Sequence, residues 1–234
     1  KFITASSSAT KLETIKKRFT GKPQKTLTHH SSVDDVKIQL KQRELARQKW
    51  EGFHLEFVNG SSQTCSLYAL FGVDVVGKSK VVKAAVKQEA LAATELRKLV
   101  ADWLNTVAVA TPTLLKEAGI LISDPVIDME PSELEILLER TSIEEIIKDI
   151  KTPNTPLRPV QVLDIATLFD IPCEICFEGA EAEFGDIKKI SNALAEKEKE
   201  KEKENPEKIQ TLLFHKMSHE SKNASHYSIL KKDS

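Results

Sequence analysis

Phe53-His54-Leu55-Glu56-Phe57-Val58 alternates apolar and polar residues, and the small polar stretch Asn59-Gly60-Ser61-Ser62-Gln63-Thr64 follows it. Cys65 then heads the apolar run Ser66-Leu67-Tyr68-Ala69-Leu70-Phe71. The alternation predicts a strand closing at Asn59-Gly60, and the apolar run a short helix stopping near Gly72. The order strand, loop, thiol, helix constrains the fold more than any other feature. It sets the sulfur over a helix N-terminus, where free amides and the positive dipole end favour a thiolate. A nucleophilic thiolate needs a base and proton carrier. His226-Tyr227, heading Ser228-Ile229-Leu230 near the chain's end, offers the best-placed imidazole. Such a pair works only in a fold that brings these distant segments to one cleft.

With 234 residues, 40% of them apolar, the chain has material for one large domain or a domain with an insertion. Basic and acidic residues number 34 and 35, so no whole-protein field directs the chain to nucleic acid or to an anionic membrane. No apolar run approaches the roughly 20 residues of a membrane span. The chain opens on Lys1 with no secretory h-region, which reads as a piece of a longer protein. Three cysteines suit a reducing compartment. Cys173-Glu174-Ile175-Cys176 has the C-x-x-C form, but zinc would need two further ligands and no second pair exists. Ile171, Cys173, Ile175 and Phe177 alternate with polar neighbours as a strand does, so the two thiols face opposite sides and read as packing residues.

Residues 1–31, rich in Ser, Thr and Lys, read as a flexible lead-in to a domain over 32–234. Ser32-Val33-Asp34-Asp35 looks like a capping box opening a helix to about Trp50. Val82, Val86, Leu91, Leu96, Val100 and Leu104 recur at helical spacing, and Ser132 and Ser142 each begin a capping box. Residues 80–150 therefore read as a helical block. Thr152-Pro153-Asn154-Thr155-Pro156 breaks it. Leu157–Phe169 reads as a helix and Ile171–Phe177 as a strand. Residues 186–205 read as a charged insert, amphipathic through Ile187, Ile190 and Leu194 before a Glu-Lys run. Strands over 209–214 and 226–230, joined by a loop, close the chain.

Four segments in this order resemble the ovarian-tumour (OTU) family of cysteine proteases, which are deubiquitinases. They are Ser62-Gln63-Thr64-Cys65-Ser66-Leu67-Tyr68-Ala69, the helix carrying Arg97, Val100, Trp103 and Leu104, the helix-to-strand stretch Val160–Ile175, and the closing Thr211–Phe214 with His226–Leu230. The resemblance covers roughly residues 50–105 and 155–232. It implies an α+β, papain-like fold: a small, mostly antiparallel sheet between helical regions, with an inserted helical lobe over about 80–150, as in bacterial effector members. It departs from the family pattern at Ser62 and Ser228, where the family has Asp and Asp or Asn.

That likeness implies hydrolysis of isopeptide bonds at the ubiquitin C-terminus, with Cys65 as nucleophile and His226 as base. Asn59 and Ser228 are its candidates for the third residue, with Glu56 a further one. Backbone of Ser62, Gln63 and Thr64 would line the oxyanion hole. Glu135, Glu139 and Glu144 are candidates for contacting the basic rim of ubiquitin or polyubiquitin. No cofactor or metal is implied, the partner is ubiquitin, and a monomer acting in a host cytoplasm is the expected setting. Three readings compete: an OTU-like module that binds ubiquitin without turnover, a helical scaffold, and a papain-like enzyme for other acyl or amide bonds. In all but the enzyme readings, Cys65 is a packing thiol.

Overall fold

The computed structural model describes residues 12–15, 17, 53–58, 63–72, 83–110, 120–123, 139–177, 189–201, 209–216 and 225–232. Strands β1 (Phe53–Phe57), β2 (Ile120–Ser123), β3 (Cys173–Phe177), β4 (Lys189–Asn192), β5 (Gln210–Lys216) and β6 (Ser225–Lys232) form one sheet of order β1-β6-β5-β3-β4-β2. Only β3 and β5 run parallel; the other neighbouring pairs are antiparallel. Helices α1 (Cys65–Phe71), α2 (Lys83–Ala110), α3 (Ile143–Lys151), α4 (Pro159–Leu168) and α5 (Ala193–Lys201) accompany it. The architecture is mixed α and β, compatible with the expected α+β class.

Strand alternation decides which residues make the core. Cys173, Ile175 and Phe177 of β3, Leu212 and Phe214 of β5, and Tyr227 and Ile229 of β6 share one face and pack with α1 and α4. Leu96, Val100 and Leu104 of α2 and Ile146 and Ile150 of α3 complete the same buried cluster. The block's helices α2 and α3 therefore contribute to the central core. Aromatic contacts join its layers: Phe169 lies 3.8 Å, centroid to centroid, from Trp103 and 5.0 Å from Phe71. Cys176, Leu213 and Leu230 occupy the opposite face. Among the described residues, no helix is long and apolar enough to cross a membrane.

Local chemistry accounts for the element ends. Ser142 and Glu145 close a reciprocal capping box at α3, as their spacing predicts. Gly72 ends α1 in the left-handed conformation at φ 64°, returning its amide to the Ala69 and Tyr68 carbonyls. Pro159 occupies the first turn of α4, where a missing amide hydrogen costs little.

Several expectations are corrected. Residues 120–123 form an edge strand inside the block expected to be helical. Residues 12–15, within the expected flexible lead-in, are helical, and Ile15 is buried in the core. Ile190 lies in β4 rather than on an amphipathic helix, because the register pairs it with Ile175 and Ile122. The helix beginning at Ser32 and the one carrying Leu134 fall outside the described residues.

Asn192 explains how the Glu-Lys run holds a helix at all. Its side-chain oxygen accepts from the amides of Ala195 and Cys173, at 3.0 and 3.1 Å, and its nitrogen donates to the Ile171 carbonyl at 2.9 Å. One buried amide thus caps α5 and fixes the start of β3. Salt bridges from Lys199 to Glu174 and Glu196 then seat the helix. Asn192→Ala removes the cap and strands two buried backbone groups, an expected loss of about 3 kcal/mol in urea denaturation at unchanged m-value. A loss below about 1 kcal/mol would contradict this role.

Candidate active site at the head of helix α1

Cys65 is the first residue of α1, as the sequence order predicts. Thr64 precedes it as N-cap, and its carbonyl accepts from the Leu67 and Tyr68 amides, both at 3.0 Å. Gln63 sits at φ 56°, in the left-handed region that a non-glycine residue enters at a cost on the order of 1–2 kcal/mol. A strained residue two positions before a thiol marks a loop whose shape is imposed from outside.

Arg97 imposes it. This guanidinium, only 5% exposed, projects from α2 into the junction of three segments. Its Nε donates to Thr64 Oγ1 at 3.0 Å, and its Nη2 to the Gln63 carbonyl at 2.6 Å. Nη2 also reaches the Thr155 carbonyl at 2.7 Å. Nη1 faces the carbonyls of Asp149, Ile150 and Thr152 at the end of α3, at 3.2, 3.0 and 3.3 Å. A cation there answers both the unpaired carbonyls and the negative dipole end of α3.

The second anchor is Tyr227. Its main chain lies close enough to the Cys65 sulfur to act against the rise of the thiol's pKa, and its hydroxyl donates to the Leu157 carbonyl at 2.8 Å. β5 pairs with β6 at Tyr227 on one edge, while β1 pairs with β6 only as far as Phe57 opposite Ser228. Cys65, at the head of α1, therefore packs against β6 near the end of the β1 register. His226 is the next residue along that strand and is partly buried. The thiol and the histidine segment, distant in sequence, thus meet.

The ionisation of Cys65 differs from the sequence expectation. The thiol is 4% exposed, and this burial raises its pKa. The amides of Tyr227, Ser66 and Cys65 itself, and then the charge of Arg97, act in the opposite direction without cancelling it. Helix-end donors are present as the order of elements predicts, but desolvation outweighs them and leaves the thiol's pKa raised.

The other expected site residues fall differently. Ser228 is wholly buried and its hydroxyl finds no protein partner; strand alternation puts it on the same face of β6 as His226. Glu56 is paired with Lys231 at 2.8 Å on the sheet surface. Glu144 is exposed in the first turn of α3, whereas Glu139 is tied to Arg158 at 2.7 Å. Asn59, Ser62 and Glu135 lie outside the described residues. Among the described residues, no group of three or more His, Cys, Asp or Glu is placed to hold a metal. Arg97 was singled out in the sequence only as part of a resemblance; a lone arginine among apolar helix positions was the available signal for its burial.

No protein-family profile matches the chain, and no curated protein matches it.

Cys173 and Cys176 are free, buried on opposite faces of β3, and unsuited to sharing a metal. Burial, and then the charge of Glu174, push both thiols up, Cys176 to about 12. Above about pH 8.5 an unfolded thiol ionises while these stay protonated, so the unfolded state binds fewer protons and stability falls as pH rises. Cys173→Ala is expected to flatten that alkaline limb by about 1.4 kcal/mol per pH unit in chemical denaturation. An unchanged slope would contradict the burial of this thiol.

Proposed function

We propose that the protein is a thiol isopeptidase acting at the C-terminus of ubiquitin. The observation that carries this reading is the packing of α1, headed by Cys65, on β6, where Tyr227 follows His226 and shares the buried cluster with Cys65. The resemblance of the Cys65, Arg97, Val160–Ile175 and His226 segments to OTU proteases supplies the substrate class.

In this reaction His226 takes the Cys65 proton as the sulfur attacks the carbonyl carbon of the isopeptide bond. The C–N bond breaks as the same proton passes to the departing lysine amine, leaving a thioester. Water, deprotonated by His226, hydrolyses the thioester and frees both the ubiquitin carboxylate and the sulfur. Backbone amides of Cys65 and the 62–64 loop bind the oxyanion; one such donor contributes roughly 2.7–4 kcal/mol. Exposed Glu144 meets the basic rim of ubiquitin. Cys65 is only 4% exposed, so attack by its sulfur requires the site to open. The chain would act as a monomer in a host cytoplasm, the setting of the bacterial effector members it resembles.

A second reading, a ubiquitin-binding module without turnover, is favoured by the same burial and by a serine at position 228 where a carboxylate would better stabilise an imidazolium. Ubiquitin bearing a C-terminal electrophile separates the two. The isopeptidase is expected to form a covalent adduct, seen by mass, that Cys65→Ala abolishes. Binding with no adduct supports the module, and no binding removes both.

A further inference from the structure

We propose that Arg97 is the positioning residue of the candidate site, holding the loop before Cys65 in working shape by clamping it to the end of α3. This inference rests on the isopeptidase reading for its catalytic meaning, but its geometry stands independently. The guanidinium spends Nε and part of Nη2 on Thr64 and Gln63, the two residues before the nucleophile. Its remaining capacity goes to the Asp149, Ile150, Thr152 and Thr155 carbonyls. Two features show that the clamp acts on the loop and does not merely fill space. Gln63 is held left-handed, a conformation its own side chain does not favour, by the 2.6 Å bond to its carbonyl. Thr64, the N-cap, turns its hydroxyl to Arg97 rather than to an amide of the helix it begins. The Thr64 side chain therefore leaves the Cys65 and Ser66 amides, which act on the sulfur, uncapped.

The clamp also links the site to the start of α4. Asp149, whose carbonyl faces Arg97, accepts from Gln161 through its carboxylate at 2.8 Å. Gln161 in turn accepts from the Arg158 amide at 2.9 Å, closing the start of α4. A planar fork with five donors satisfies this many acceptors at once, and a lysine ammonium with three does not.

The test uses the full chain and the conservative variant Arg97→Lys, with near-ultraviolet circular dichroism as the check on folding. The rate of Cys65 alkylation by iodoacetamide is followed against pH by peptide mapping, which separates Cys65 from Cys173 and Cys176. The expected result is a folded variant whose alkylation midpoint rises by about half a pH unit or more, because the charge remains but the amides are no longer aimed. With an electrophile-competent wild type, kcat on a ubiquitin substrate is expected to fall about tenfold with KM within about twofold. Should Arg97→Lys fail to fold, Thr64→Val replaces it, removing one loop acceptor and leaving the bonds to α3. An unshifted midpoint in whichever variant folds would overturn the role of Arg97. A wild type that forms no ubiquitin adduct removes the isopeptidase reading alone, since the alkylation midpoint still decides the clamp.

Discussion

The Arg97 guanidinium joins three pieces of chain: the loop before Cys65, the end of α3, and the Thr152–Pro156 break. A buried charge is costly unless its donors are met, and here carbonyl oxygens meet them in place of a direct carboxylate partner. The geometry is demanding for that reason. Each carbonyl must come to the fork, so the loop, the helix and the break are fixed relative to one another. The left-handed Gln63 is the local consequence.

Tyr227 braces the same region from the sheet side. Its hydroxyl holds Leu157, just after the break, and it shares the buried cluster with Cys65. The break is thus gripped by Arg97 at Thr155 and by Tyr227 at Leu157, and both residues also grip the neighbourhood of Cys65. This two-sided hold sets the thiol against β6 with little freedom. Its cost is desolvation: the packing that places the sulfur also raises its pKa, so placement and activation pull in opposite directions. Turnover in such a site needs a step that uncovers the sulfur without releasing its amide donors.

Much of this was legible in the residues. The start of α1 at Cys65, its stop at Gly72, the α3 capping box, the β3 alternation that parts Cys173 from Cys176, and the closing hairpin all follow from short-range chemistry. What escaped is non-local. Ile120–Ser123 is too short and too isolated to declare itself a strand, and becomes one through pairing with β4. Ile190 fits a helical period as well as a strand, and only its partners across β3 and β2 settle the matter. Ile15 sits in a polar stretch whose composition hides a core contact. At the site, the loop-then-helix order located the donors, but the desolvation of Cys65 depends on everything packed around it. Arg97 shows the same limit: its spacing on α2 is visible, while its acceptors come from segments more than thirty residues away.

The proposed isopeptidase turns on the sulfur of Cys65 and the imidazole of His226 sharing one cleft. A short bifunctional alkylator, such as 1,3-dibromoacetone, reads that proximity in solution, since its second arm reacts only with a nucleophile beside the first. The expected product is a single internal bridge, mapped by mass spectrometry to Cys65 and His226 and abolished by His226→Ala. A Cys65 adduct whose second arm ends on water, or on any residue other than His226, would contradict the account.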